Sequence, residues 1–543
     1  MKQINTYMLN IKKLMLVIAW FVLCYNISSA QFYNGHQMHF GKNRVQYSEF
    51  EWYYYRFTGF DTYFYLGGSD IAKLTAQIAN QKIPEVERFF DYKLSQRLIF
   101  VVYNNLSEFR QSNIGLNTGD EQYNIGGVTK IIDNIVFLYI EGDRLKLEEQ
   151  ISAAITEVVL NEMLWGSGFT NKVANNTLIS LPDWYYYGLI NYVANSWDYE
   201  IDDRVRDGIL SRQFEEFNHL TGEDAVYAGQ SIWNYVASTY GKQVIPTIVY
   251  MTRITKNAES GFLYVLGTSL KLLSYDWLRY YESIYLPHNE TCTQISESKS
   301  NIKTRKNWKY YSPAISPDGN YVAYAQNFMG RYKIVIYDHE KDKRKTILRR
   351  EHKLEQIIDY TYPLIAWHPG GELLGYIIEK NSEIWYCTYN INTKERNEKE
   401  IKLVDKINSF SYSADGLKLV LSGFANGMSD IYLYNIPAST FINLTKDIAD
   451  DYSPEFVGNT NRIIFSSNRD TDTLLNDKRN VNIFTQDYRD LFVINPDNIN
   501  KITRLTETPF IDEFEPQQIS RDEFYFISNE NGIHNRYVGV YDS

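Results

Sequence analysis

The chain has 543 residues, 44% of them hydrophobic and 22% charged, with 55 Lys and Arg against 66 Asp and Glu and a formal charge of −11. That balance argues against nucleic acid as a partner, and the apolar content excludes an intrinsically disordered chain. The length is enough for at least two sizeable cores, so two or three domains are expected.

At the amino terminus, Lys12-Lys13 precede an apolar run at 14–24, and Ser28-Ser29-Ala30 follow it. This is the order of a secretory signal peptide, residues 1–30, with cleavage expected after Ala30. The run is too short for a membrane anchor, and Cys24 follows Leu23 rather than the small residue that a lipoprotein site needs. Cleavage would remove Lys2, Lys12 and Lys13 and no acid, taking the formal charge to −14. No later stretch has the length of apolar sequence that a membrane helix requires, so the expectation is an exported protein, periplasmic or extracellular and outer-membrane associated, with no transmembrane segment in its mature form. Only Cys292 and Cys387 would remain, which is no disulfide framework and no Cys-x-x-Cys metal pair. A single bridge between them stays open.

Aromatic and polar residues alternate through 50–65, as in half-buried strands, and 70–90 reads as an amphipathic helix. Residues 99–103 and 135–139 are short apolar runs that read as strands. The second leads into 145–165, where Leu147, Ile151, Ala154, Ile155, Val158, Val159 and Leu164 recur at helical spacing before Gly166. From 203 to 285 the pattern is helical, with Gly241 and Gly261 as expected breaks.

Zinc peptidases carry His-Glu-x-x-His on such a helix because residues four apart share a face, so two imidazoles grip one ion beside a general-base Glu. The matching run here is Thr156-Glu157-Val158-Val159-Leu160, followed by Pro182, Trp184, Tyr187 and Gly188. The region 31–285 resembles the thermolysin-like (gluzincin, peptidase MA) family, whose second helix often reads Pro-x-Trp-x-x-Glu-Gly with that Glu as third ligand. A helix-like run at 227–241 adds to the likeness. The resemblance implies an α+β peptidase domain that keeps a vestigial base, Glu157, and has lost its ligands at Thr156, Leu160 and Tyr187. No metal or other cofactor is expected, and the residues alone also allow two packed helices of an unrelated domain.

Residues 286–308 are polar and contain Pro287, which marks a linker. Beyond it the period changes. Units beginning at 312, 362, 409, 453 and 515, and so spaced by 50, 47, 44 and 62 residues, each combine short strands with a turn, as in Ser316-Pro317-Asp318-Gly319 and Asp415-Gly416. The wording resembles the TolB-type (WD40-like) β-propeller repeat, which implies an all-β propeller over 309–543 with about five blades, the last lacking its outer strand. Val322, Ile334, Ile384, Leu419, Ile431, Ile464 and Val493 are expected to be buried between blades. The basic run 341–350 reads as a solvated connection between blades, and the scattered His339, His352, His368 and His534 as surface or turn residues.

The organisation is therefore multidomain. The resemblance implies a degenerate peptidase fused to a propeller, as in envelope proteins of the Bacteroidota, acting by binding protein or peptide. Two alternatives stand: an active hydrolase with unrecognised catalytic residues, or a protein that binds carbohydrate or cell wall through its many Tyr. For a serine hydrolase, Gly229-Gln230-Ser231 and Gly267-Thr268-Ser269 both lack the second Gly of Gly-x-Ser-x-Gly.

Overall fold

The computed structural model describes residues 44–114, 129–132, 134–166, 179–291, 302–351, 358–474, 485–520 and 523–540. The signal-peptide segment, Cys292 and His352 lie outside them.

The amino-terminal part is a sheet with helices. Strands β1 (Tyr53–Arg56), β2 (Phe60–Phe64), β3 (Leu98–Tyr103), β4 (Thr129–Ile132) and β5 (Ile135–Tyr139) lie in the order β1-β2-β3-β5-β4. The central pairs β2/β3 and β3/β5 are parallel, whereas β1 and β4 are antiparallel edges. Helix α1 (Ser69–Phe90) packs beside α2 (Arg144–Trp165), which starts where Asp143 accepts hydrogen bonds from the amides of Leu145 and Lys146 and stops at Gly166. Ile151, Ala154, Ile155 and Val159 of α2 are fully buried. At about 1.5–3 kcal/mol for each large apolar side chain, this helix anchors the domain.

Helix α3 (Asp183–Ala194) crosses α4 (Gly222–Tyr240) in backbone contact. A Cβ on Gly229 would stand 1.9 Å from the Trp184 carbonyl oxygen, and one on Gly188 would stand 2.5 Å from the Gly229 backbone. The aromatic side chains then lock the crossing: Trp233 Nε1 donates to the Tyr185 carbonyl at 3.1 Å, and Trp184 Nε1 to Asn218 Oδ1 at 2.9 Å. Three further helices follow, α5 (Val244–Thr255), α6 (Ala258–Leu266) and α7 (Leu270–Thr291).

Two expectations fail here for local reasons. Gly241 does end a helix, but Gly261 lies inside α6, because it is needed for approach and not for a turn: a Cβ there would sit 2.2 Å from Thr252 Oγ1. Pro287 does not stop α7, which continues to Thr291, past the start of the expected linker.

The carboxy-terminal part consists of five blades. Blade one is β6 (Lys309–Ile315), β7 (Tyr321–Phe328), β8 (Arg331–Asp338) and β9 (Lys343–Arg350); blade two is β10 (Leu364–Trp367), β11 (Leu373–Lys380), β12 (Glu383–Asn390) and β13 (Arg396–Ile401). Blade three is β14 (Lys406–Tyr412), β15 (Lys418–Ala425), β16 (Met428–Asn435) and β17 (Thr440–Asn443), and blade four is β18 (Asp451–Phe456), β19 (Ile463–Arg469), β20 (Thr485–Asn495) and β21 (Asn498–Arg504). Blade five shows three strands among the described residues, β22 (Glu513–Gln518), β23 (Glu523–Ser528) and β24 (Asn535–Val540).

Every blade pairs its strands in chain order, and the first strands of successive blades pack side by side, which makes them the inner ring. Ser316 and Ser413 close the turn after the inner strand: each hydroxyl accepts the amide of the residue five further on and donates to the turn Asp, while Gly319 and Gly416 take the positive φ. Ile334, Ile384, Leu419, Ile431, Ile464 and Val493 are buried, most of them in the clusters between blades, whereas Val322 is half-buried on the outer side of blade one. The basic run is a correction: it is no connection but chiefly β9, the outermost strand of its sheet, where Lys343, Arg344 and Lys345 are exposed. Exposed charge on an edge strand discourages pairing with another sheet.

The amino-terminal domain sits on one face of the propeller. Arg144, at the start of α2, pairs with Asp450 at 3.2 Å. Asn408 Nδ2 donates to the Gly142 carbonyl at 2.9 Å, Arg206 reaches the Gly532 carbonyl at 3.2 Å, and Tyr199 lies against His534 with ring centres 4.1 Å apart. Asp450 lies between two blades, Gly532 and His534 between the second and third strands of blade five, and Asn408 near the start of the inner strand β14, all at the same end of the blades. The turns around Ser316 and Ser413 emerge on the opposite face.

Candidate functional site

Helices α2 and α3 meet over a cleft of about 350 Å³ lined by Glu157, Asn161, Trp165, Asp183, Tyr186 and Tyr187, with Leu181 at its edge. Glu157, Asn161 and Trp165 follow one another at four-residue steps and so share a face of α2. Asp183 opens α3, where the helix N-terminus favours its charge. Tyr186 Oη donates to Asn161 Oδ1 at 2.7 Å, and its ring meets Trp165 at 5.7 Å and Tyr187 at 5.1 Å. Burial, and then the Glu157 carboxylate beside it, hold the Tyr186 phenol well above its ordinary range.

The structure brings Glu157 and Tyr187 together in this cleft. It does not bring Thr156 and Leu160 there: both are completely buried, Leu160 in the apolar core and Thr156 with its hydroxyl donated to the Ser152 carbonyl at 2.8 Å. Even with side chains that could bind metal, those two positions would have to turn out of the core. Glu162, five residues from Glu157, takes a structural part that periodicity could not show. It accepts from the Ser95 amide at 3.0 Å, from the Ser95 hydroxyl and from Tyr92, pinning the segment between α1 and β3.

A second cluster of acids lies in the propeller. Asp430, Asp447 and Asp451 are buried with carboxylate oxygens within 4.8 Å of one another. The cation among them is a side chain. Arg469 donates to both oxygens of Asp451 at 2.9 and 2.8 Å and to Asp447 at 3.1 Å, so the cluster ties the inner strands of blade four to the segment that enters it from blade three. The sequence reading missed it, because the acids stand before the unit that begins at 453 and Arg469 stands within it, so nothing local pairs them.

These buried acids set a pH dependence. Burial pushes Asp430 up to about 7, and pushes Asp450 up to about 6 against the opposing pull of Arg144. Both folded values exceed the ordinary carboxylate value, so between about pH 4 and 7 the folded chain holds more protons than the unfolded one, and stability falls as pH rises through that window. Thermal melts are expected to give a higher midpoint near pH 5 than near pH 8, with Asp430→Asn reducing the difference. A midpoint that climbs across the window would contradict this assignment.

No family model and no curated protein matches the chain. Among solved structures it is similar to a putative TolB from Agrobacterium tumefaciens, at 16% identity and a TM-score of 0.30, over 40% of this chain and 70% of that one. It is also similar to TolB from Acinetobacter baumannii, at 14% identity and a TM-score of 0.30, over 42% of this chain and 54% of that one. The β-propeller domain of the Trilobed protease from Pyrococcus furiosus is a third, at 12% identity and a TM-score of 0.28, over 44% and 82%. The five-blade propeller itself rests on the strand order described above, and among the described residues no helix is long and apolar enough to cross a membrane.

Proposed function

We propose that this is an exported binding or scaffold protein of the cell envelope, in which a degenerate peptidase MA-like domain and a TolB-type propeller hold protein or peptide partners without catalysis. The observation that supports the reading is the cleft: Glu157 and Tyr187, which the resemblance assigns to a base and a lost ligand, line it together, while Thr156 and Leu160 are buried. A hydroxyl, an alkyl group and a phenol do not replace two imidazoles and a carboxylate around zinc.

Binding can outlast the loss of a metal, because main-chain pairing supplies much of a peptide's affinity in a cleft of this kind. The outermost strand β4, antiparallel to β5, is suited to accept such a chain. In the propeller, the turn face opposite the amino-terminal domain offers loops on a rigid frame. The acidic balance of the chain favours basic partners over nucleic acid, with association that weakens as salt rises.

Metal analysis of purified protein tests the reading. Zinc well below one equivalent per chain is expected after dialysis against zinc and then buffer, together with peptide binding that a chelator leaves unchanged. Zinc at one equivalent per chain would refute it.

A further inference from the structure

Helices α6 and α7 meet in a turn that stands clear of the atoms around it. The Gly267 amide donates to the Leu263 carbonyl at 3.0 Å and ends α6 at φ +70°, and Ser269 starts α7 by accepting from the Leu272 amide at 3.3 Å. A Cβ on Gly267 would meet nothing within 4 Å. The bonds described above that seat this domain on the propeller run from residues 142, 144, 199 and 206, on other elements.

The turn is held from its inner side and carries apolar groups on its outer side. Phe262, Leu273 and Trp277 are buried, and Trp277 Nε1 donates to the Ser231 hydroxyl at 3.1 Å. Leu263 and Tyr264 in the last turn of α6 are 48% and 69% exposed, and Leu272 and Tyr275 at the start of α7 are 53% and 56% exposed. Leu272 and Tyr275, three apart, share a face of their helix. Single apolar residues in water are ordinary, whereas four large ones on a single knob mark a surface that is covered by something.

Charge says what covers it. The stretch 242–281 carries Lys242, Arg253, Lys256, Lys271 and Arg279 against Glu259 and Asp276, in a chain whose formal charge is −11. Helix α5 runs back along α6, with Ile248 and Thr252 against Gly261, which puts Lys242, just before α5, level with the turn. Lys242 and Lys271 are exposed, and neither enters an ion pair among the described residues. Arg279 lies over the Tyr275 ring, 5.7 Å from its centre. A convex knob offers a protein partner no groove to fill. A lipid interface, by contrast, takes protruding leucines into its acyl boundary, holds tyrosines at headgroup level and sets flanking cations against phosphates.

We propose that the α6–α7 knob is a docking surface for an anionic phospholipid bilayer, on which the protein rests peripherally. Each cation brought to such a surface contributes roughly fivefold in affinity. The acidic remainder of the chain is repelled by it, so binding is oriented, with the knob first. The proposal is independent of what the cleft at Glu157 binds.

The test floats the mature full-length chain with vesicles of phosphatidylcholine alone or with about one third phosphatidylglycerol. Flotation with the anionic vesicles is expected at low salt, with little on the neutral ones and a loss of about tenfold or more at about 0.5 M salt. Leu263→Ser combined with Leu272→Ser should weaken binding about tenfold or more by removing the inserted groups. Lys242→Glu combined with Lys271→Glu should do so by a similar factor through charge. Tyr53→Ser, which removes a comparably exposed tyrosine on β1, should leave binding unchanged. All three variants should keep the parent's melting midpoint, because every side chain replaced is exposed. No flotation on anionic vesicles, equal flotation on both lipids, or binding indifferent to both pairs of substitutions would overturn the proposal. Self-association lost in the leucine variant, without flotation, would also overturn it and assign the knob to a second copy of the chain.

Discussion

Replacing Arg469 by methionine is expected to cost the propeller about 3–5 kcal/mol, the largest effect of any single change outside the apolar cores. The guanidinium is wholly buried, and Phe465 and Phe492 lie 5.6 and 5.7 Å from its centre. It spends its donors on Asp451, Asp447 and, through Nε at 2.9 Å, the Ser467 hydroxyl. Methionine fills similar space but leaves Asp447 and Asp451 as buried charges without a counterion, beside an already proton-hungry Asp430. Urea melts of the single variant, compared with the triple variant that adds Asp447→Asn and Asp451→Asn, separate lost charge compensation from lost packing. The triple variant should recover most of the stability. A single variant within about 1 kcal/mol of the parent would mean that the cluster does not hold blade four to the segment entering it.

Gly229→Ala should destabilise the amino-terminal domain by about 3 kcal/mol, at the upper end for one added methyl group. The methyl would sit 1.9 Å from the Trp184 carbonyl oxygen and 2.9 Å from Gly188 Cα, and both are backbone atoms that move only if the helices part. Separating α3 from α4 also breaks the bond from Trp233 Nε1 to the Tyr185 carbonyl. Gly267→Ala is the comparison: it meets nothing within 4 Å and should cost only the roughly 1–2 kcal/mol of a left-handed backbone at φ +70°. Equal losses for the two variants would show that the crossing has room to relax.

Local chemistry was legible in the sequence where one physical rule dominates. The apolar period of 145–165 corresponds to Arg144–Trp165 within a residue, and the Asp318-Gly319 and Asp415-Gly416 turns mark blade spacing because only glycine takes that φ cheaply. What failed depended on partners distant in sequence. Gly261 reads as a break unless Thr252 is known to lie against it, and the run 341–350 reads as a loop unless β8 is known to pair with it. A spacing of five puts Glu157 and Glu162 on different faces of α2, but shows nothing of the Ser95 amide that Glu162 accepts from. Which face of the propeller the first domain covers, fixed by Arg144 with Asp450 and Tyr199 with His534, has no local signature at all.

The central claim is recognition without catalysis, and turnover tests it most directly. Purified mature protein would be incubated with a mixed peptide library, with zinc, with chelator and as the Glu157→Gln variant, and the products read by mass spectrometry. The account predicts no cleavage above buffer in any arm and peptide retention that is the same with zinc and with chelator. Cleavage that requires zinc and disappears in Glu157→Gln would contradict it.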